Sequence, residues 1–432
     1  MGNTFNGGIH IESHKILSRE RPIIEMPAPR QVVIPLSQHT GRQADPTVKK
    51  GDTVKVGTKI GQSSHFISAA VHASVAGTVR DVAEQPHPVL GQGLAVIIDN
   101  DGSDAMDEHV RPRQAVDRLA KDEILTIVTD AGIVGMGGAA FPAHVKFAPP
   151  KPVDTLLING AECEPYLTCD FRLMCERPSE ILRGILLLQK VLGVSATLIG
   201  VEDDKPEALA SLRNKIAEMK LSIQVVSLPA KYPQGAEKQL IKALVDREVP
   251  PGKLPFEVGC VVGNVSTALA VYEAVYLGRP LYRRVVTVTG AGATAPANLL
   301  VRIGTTFADV LAFSKGLKGV AGKLIMGGPM MGIAQATDRV PVIKGTSGIL
   351  VLTPDQVREC ASEPCIRCGR CVEHCPVGMV PSALSICGES RRYDLSRGYN
   401  PFDCIECGIC TYVCPAQRRI LEYIKLIKVV TR

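Results

Sequence analysis

Cys365-Ile-Arg-Cys368-Gly-Arg-Cys371-Val-Glu-His-Cys375-Pro376 and, further on, Cys404-Ile-Glu-Cys407-Gly-Ile-Cys410-Thr-Tyr-Val-Cys414-Pro415 repeat one spacing, C-x2-C-x2-C-x3-C-P. Eight of the chain's 14 cysteines are spent on it. Three closely set thiolates wrap one iron–sulfur cube, and the fourth, carried past a proline turn, reaches the other cube. The expected ligand sets for two [4Fe–4S] clusters are therefore Cys365, Cys368 and Cys371 with Cys414, and Cys404, Cys407 and Cys410 with Cys375. Zinc also takes C-x2-C pairs, but it has no need of a third cysteine at the same interval and a fourth before proline, twice over. Disulfides belong to oxidising compartments. The N-terminal ten residues have neither the basic nor the apolar region of a secretory leader. The remaining cysteines, Cys163, Cys169, Cys175, Cys260, Cys360 and Cys387, share no metal spacing and read as small buried hydrophobes.

Outward from the cysteines, 432 residues suffice for about three domains. Hydrophobic residues at 45% and charged residues at 21% give ample core material. Trp is absent and aromatics make up 4%, which argues against base-stacking nucleic-acid platforms. A net charge of +6 is modest for the length and speaks against a dedicated phosphate-backbone surface. No stretch reaches the roughly eighteen to twenty apolar residues of a membrane span. A protein made and kept in the cytoplasm is expected.

From Val32 to Asp99 short Val- and Ile-rich runs alternate with Gly-Asp turns, a β signature. Residues 103–113 are polar and read as a linker. Strand and helix signals then alternate: a strand at 154–160, a helix over Pro178–Leu192 with Pro in its first turn, a strand at 196–202, a helix over Lys205–Met219, a strand at 222–229 and a helix over Gln234–Asp246. That alternation predicts an α/β domain with a mostly parallel sheet. Shorter elements follow over 284–332, including a helix around Thr306–Phe313. The cysteine region 356–432 reads as helix and loop.

Gly132-Ile-Val-Gly135-Met-Gly137-Gly138-Ala-Ala-Phe141-Pro142, with Lys146 one turn further, is a glycine loop whose amides can approach a phosphate. As a dinucleotide fingerprint it is weak, since Ala140 stands where a glycine is needed and a helix, not a strand, precedes it. It reads equally as a connector. Asn159-Gly160-Ala161-Glu162-Cys163-Glu164-Pro165 follows the first α/β strand, at the edge where open α/β sheets bind ligands. Its polar groups suit ribityl or ribose hydroxyls, or a solvated loop.

Together with Tyr232-Pro-Gln-Gly235-Ala-Glu237-Lys238 and Gly263-Asn264-Val-Ser-Thr267, these motifs resemble the FMN- and NADH-binding subunit of respiratory complex I. More closely, the whole chain resembles the C-subunit family of the Rnf ion-translocating electron-transport complexes, from Gly7-Gly-Ile-His10 through Gly327-Gly-Pro-Met-Met-Gly332 to the cysteines. The resemblance implies a multidomain α/β protein: an N-terminal biotinyl/lipoyl-like barrel-sandwich over 1–105, an FMN/NADH-binding α/β domain over 106–280, a β-grasp-like SLBB unit over 281–335 and a helical two-[4Fe–4S] ferredoxin domain over 336–432. The barrel's Phe66–His72 stretch has no lysine to carry a swinging cofactor.

By position, the resemblance assigns Gly135, Gly137, Gly138 and Lys146 to the FMN phosphate and ring surround. It turns Asn159, Glu162 and Glu164 toward flavin and nucleotide, sets Gly235 and Glu237 near the nicotinamide, and gives Asn264 and Thr267 the phosphate end of FMN. Met136 and Ala161 stand where the complex I pattern has Arg and Asp, and Ala140 and His144 where it has glycines.

The implied activity is that of a peripheral subunit of a ferredoxin:NAD+ oxidoreductase at the cytoplasmic face of the cell membrane. It would pass electrons between NAD(H), FMN and two [4Fe–4S] clusters, and on to membrane-embedded partner subunits. A flavin can take a hydride and release electrons singly, so no catalytic acid or base is named. Two other readings stay open: a cobalamin reductase, which resembles the same core but lacks the N-terminal barrel, and a cluster-bearing conduit without NADH binding. In the tail, Ile420, Leu421, Ile424 and Ile427 share a helical face that suits a membrane-side partner or packing back on the cluster domain.

Overall fold

The computed structural model describes residues 4–357 and 362–432; Cys360 lies outside them. Two small antiparallel sheets form the N-terminal sandwich. One runs Gln31–Pro35, Gly91–Asn100, Gly77–His87, Thr53–Val54, and the other Asp45–Pro46, Lys59–Gln62, Val71–His72. Val32, Ile34, Ile60, Val71, Val96 and Ile98 fill the space between them, as period-two alternation requires. The lysine-free tip docks on the α/β domain: the Phe66 ring meets His144 edge-on at 5.8 Å.

The α/β domain holds a parallel sheet in the order Gln224–Leu228, Ala196–Glu202, Thr155–Asn159, Cys260–Asn264. Successive strands step outward one way from Thr155–Asn159, and the last is laid on its other side. The order therefore reverses between Thr155–Asn159 and Cys260–Asn264, whose last residues, Asn159 and Asn264, are register partners. Such a switch point opens a crevice at the strands' carboxyl ends. Behind it, helix Pro178–Leu192 starts with proline at its first position and stops at Gly193 in the left-handed conformation. It crosses helix Val265–Leu277 so closely that a Cβ at Gly184 would lie 1.9 Å from the Ala268 carbonyl oxygen.

The third sheet runs Ile23–Glu25, Ala297–Arg302, Arg283–Thr289, Gly348–Leu352, Lys323–Met326, Ile333–Gln335, with helix Phe307–Phe313 over it. The break expected at 335 falls inside this sheet. Gly348–Leu352 is buried in its middle, and Ile23–Glu25 joins one edge in parallel with Ala297–Arg302. A five-residue apolar run carries no sign of which neighbours it pairs with, so its sequence does not separate it from the cysteine region. The polar stretch 103–113 is a strap, not a free linker: Val56 pairs with Met106, and Arg113 N–H donates to the Tyr276 carbonyl at 2.9 Å.

In the cysteine region, helix Ile420–Val430 packs on helix Pro381–Glu389 through Ile420, Ile424 and Ile427, so its main apolar face turns inward. Leu426, Val429 and Val430 remain exposed. Among the described residues no helix is long and apolar enough to cross a membrane.

Candidate functional site

The glycine loop folds back on itself beside the switch point, with Gly135 N–H donating to the Phe141 carbonyl at 2.8 Å and Val134 bridged to Pro142. Gly138 adopts φ +124 with open space where a side chain would stand. A Cβ on Gly137 would be 3.4 Å from the Asn264 amide. The loop is held at its centre by Met136 N–H, which donates to Thr267 Oγ1 at 2.9 Å. On the outer side Thr40 of the barrel domain holds the Ala139 and Ala140 carbonyls.

Asn264 caps helix Val265–Leu277, accepting from the amides of Ser266 and Thr267, while its Nδ2 donates to Asp170 at 2.7 Å. Its side chain thereby satisfies two of the helix's first amides and fixes the helix start beside the glycine loop. Asn159 donates to the Gly235 carbonyl at 2.8 Å and accepts from Ala161 N–H at 3.0 Å. Lys146 Nζ meets Glu237 Oε1 at 2.6 Å. Pairwise contacts thus link Gly137 to Asn264, the Met136 amide to Thr267, Asn159 to Gly235, and Lys146 to Glu237 around the switch point, with Gly135 and Gly138 in the same glycine loop.

Glu162 and Glu164 turn their carboxylates to the protein. Glu162 accepts from Asp170 N–H at 2.7 Å and Phe171 N–H at 3.2 Å, at the start of helix Cys169–Glu176. Glu164 accepts from Met331 N–H at 2.7 Å and Met330 N–H at 3.1 Å, tying the loop after Asn159 to the Gly327–Gly332 turn. A Cβ on Gly328 would sit 2.2 Å from Glu164 Oε2. Burial pushes the Glu164 carboxyl up to about 7. It raises Glu162 and Asp170 as well.

Lys15 carries no sequence pattern, yet it is a principal support of this loop. Its buried ammonium donates to the carbonyls of Glu162, Glu164 and Leu167 at 2.8, 2.9 and 2.6 Å. Asp170, also unmarked in the sequence, holds Asn264 and the Ser266 hydroxyl. Arg284 is buried behind the glycine loop, donating to the Lys344 carbonyl.

The two cysteine repeats share a backbone. Arg367 and Glu406 are left-handed, as are Gly369 and Gly408, and each glycine opens a one-turn helix, Arg370–Glu373 and Ile409–Tyr412. Cys375, Cys404, Cys407 and Cys410 line one cavity, otherwise walled by apolar residues such as Met379 and Ile424. Glu406 N–H and Met379 N–H point at the sulfurs of Cys404 and Cys375, each at 3.4 Å. Cys371 lies close enough to Cys365 and Cys414 for their charges to raise its thiol, after burial; Cys368 is exposed. Burial pushes the Cys407 thiol up to about 12, so thiolates gathered here need a metal's positive charge. Among the described residues no three His, Cys, Asp or Glu side chains converge round a single ion. A cube, by contrast, holds its thiolates at separate corners. An all-sulfur donor set in an apolar cavity fits an iron–sulfur cluster, and a glycine crevice at a switch point fits FMN.

Four family models match in order: the RnfC barrel sandwich hybrid domain over 3–103, the Nuo51 FMN-binding domain over 128–273, the SLBB domain over 285–334 and the 4Fe-4S dicluster domain over 364–418. The C-subunit of the proton-translocating ferredoxin:NAD(+) oxidoreductase complex of Clostridium ljungdahlii is 46% identical over 99% of this chain and 94% of its own. The C-subunit of the Na(+)-translocating complex of Acetobacterium woodii is 43% identical over 98% and 96%. A chain of the NAD+-reducing [NiFe]-hydrogenase in its H2-reduced state shares the fold, with a TM-score of 0.52 and 19% identity over 72% of this chain and 64% of that one. The chain belongs to the C-subunit family of the Rnf-type ion-translocating ferredoxin:NAD+ oxidoreductase complexes.

Proposed function

We propose that this chain is the NAD(H)-reacting subunit of an ion-translocating ferredoxin:NAD+ oxidoreductase, peripheral to the cytoplasmic face of the membrane and passing electrons to membrane-embedded partners. The observation that carries it is a shared wall: the loop holding Gly235 against Asn159 also places Tyr232 2.8 Å from the carbonyl of Cys407. The nucleotide crevice and the second cysteine set are thus neighbours.

FMN would be held by the amides of Gly137 and Gly138 and by Lys146, on a loop that Gly135 closes through Phe141 and that Thr267 and Asn264 hold in place. When bound, it interconverts hydride and single-electron transfer. Asn159, Gly235 and Glu237 line the side open to the nucleotide. Glu162 and Glu164 fix the loop between them through backbone amides. Cys365, Cys368, Cys371 and Cys414 would hold one [4Fe–4S] cluster, and Cys375, Cys404, Cys407 and Cys410 the other. The chain's domains are assigned to 1–105, 106–280, 281–352 and 353–432, with the third extended to take in strand Gly348–Leu352 and the first lending strand Ile23–Glu25 to its sheet.

Anaerobic reconstitution tests the reading. About one FMN and roughly eight irons per chain are expected. Clusters without FMN would make the chain a conduit instead, and uptake of neither would overturn the reading.

A further inference from the structure

Two motifs have no task in the chemistry above: Gly7-Gly-Ile-His10 and Tyr232. The structure brings them together at the second cysteine set. Tyr232 is 2% exposed and packs with Ile9, Cys407 and Ile409. Its hydroxyl donates to the Cys407 carbonyl oxygen at 2.8 Å. A carbonyl oxygen can only accept, so the hydroxyl is the donor in this contact. On the backbone side Tyr232 and Ile9 exchange both N–H···O bonds at 2.9 Å. Gly8 N–H donates to the His374 carbonyl at 2.9 Å, and a Cβ on Gly7 would lie 2.6 Å from the Cys375 carbonyl. One residue therefore reaches two members of one ligand set, Cys407 directly and Cys375 through the bridged segment Gly7–Ile9. Three positions later in the same loop, Gly235 N–H points at Cys163 Sγ at the nucleotide edge.

We propose that Tyr232 is a positioning residue that fixes the second cluster against the nucleotide loop and, through its O–H on Cys407, raises that cluster's reduction potential. Resting on the two-cluster reading, the inference follows from simple electrostatics. Reduction adds negative charge to a cluster, and a donor dipole aimed at a ligand's peptide carbonyl favours the added charge. Such outer contacts tune a metal centre without touching it. The hydroxyl is also the one polar atom of Tyr232's side chain, so its removal leaves the ring to fill the same space.

The experiment is an EPR-monitored redox titration of the reconstituted, two-cluster full chain. Cys404→Ala, which takes a ligand from the second cluster and offers no replacement donor, identifies the signal of the first. In Tyr232→Phe the second cluster's midpoint should move to a more negative value while the first stays put. Site-specific 3-fluorotyrosine at 232, a stronger donor of nearly the same volume, should move it the other way. An unmoved second midpoint in either variant overturns the proposal, and so do equal shifts in both clusters, which mark a general loosening. If Tyr232→Phe does not accumulate, the fluorotyrosine chain decides alone. A wild-type chain that assembles no second cluster contradicts the ligand reading itself, a result distinct from an assembled cluster that ignores Tyr232.

Discussion

Lys146 Nζ and Glu237 Oε1 stand 2.6 Å apart, joining the short helix behind the glycine loop to the helix that follows the Tyr-Pro-Gln-Gly turn. In the proposed arrangement the pair would stand between the FMN side and the nucleotide side. Both side chains are about one-third exposed, 32% and 37%, so solvent screens the pair. Its contribution to stability is at most about 1 kcal/mol. Lys146→Ala should leave Tm nearly unchanged and weaken FMN binding about tenfold, the size of one lost charged hydrogen bond. Glu237→Gln, which frees the ammonium for an anion, should bind FMN at least as tightly as the wild type. Flavin fluorescence titration of both variants checks the pair; equal weakening in both would remove Lys146 from the phosphate site.

Glu164 gives the fold a pH dependence of known sign. Burial raises its carboxyl from about 4.5 to about 7, so the folded chain holds this proton more tightly than the unfolded one. The group's contribution is complete below the unfolded value and is lost as pH rises through about 7. The whole span corresponds to about 3 kcal/mol. Urea unfolding at pH 5 and pH 8 should show the wild type losing about 2–3 kcal/mol more than Glu164→Gln over that interval. Parallel pH profiles would show that the carboxyl titrates normally.

Gly184→Ala tests the packing behind the switch point. Its Cβ would fall 1.9 Å from a backbone oxygen of helix Val265–Leu277, which cannot move aside as a side-chain tip could. Separating the two helices should cost about 2–3 kcal/mol, seen as a lower Tm. The variant should also retain FMN poorly, because Asn264 and Thr267 sit at the start of the displaced helix. A Tm equal to wild type would contradict the close crossing.

Crossed ligation predicts an asymmetric loss. Cys375 lines the cavity of the second motif, and Cys414 lies by Cys371 of the first. Cys414→Ser should damage the cluster of Cys365, Cys368 and Cys371 and spare the other, read by iron content and EPR. Loss of the cluster at Cys404, Cys407 and Cys410 alone would refute the crossing.

Much of this architecture is legible where local chemistry is strict. Helix Pro178–Leu192 has its limits marked by Pro178 and Gly193, and strand Ala196–Glu202 by its Val and Ile run. The cysteine spacing selects its ligands because one cube demands three near thiolates and a distant fourth. What escapes is long-range. Nothing near Lys15 announces that its ammonium will hold carbonyls about 150 residues away. Gly348–Leu352 looks the same whether it joins the third sheet or the cysteine region. Glu162 and Glu164, which the sequence turns toward the ligand, face amides supplied by Asp170, Phe171, Met330 and Met331. Tyr232 stands out as part of a motif, but its partner Cys407 comes from another domain.

Rapid anaerobic mixing of the reconstituted chain with NADH, followed by visible absorbance and EPR, tests the central claim most directly. The account predicts loss of flavin absorbance, then bleaching of cluster absorbance and the rise of reduced-cluster signals. With FMN and both clusters present by analysis, absorbance that NADH leaves unchanged would contradict it.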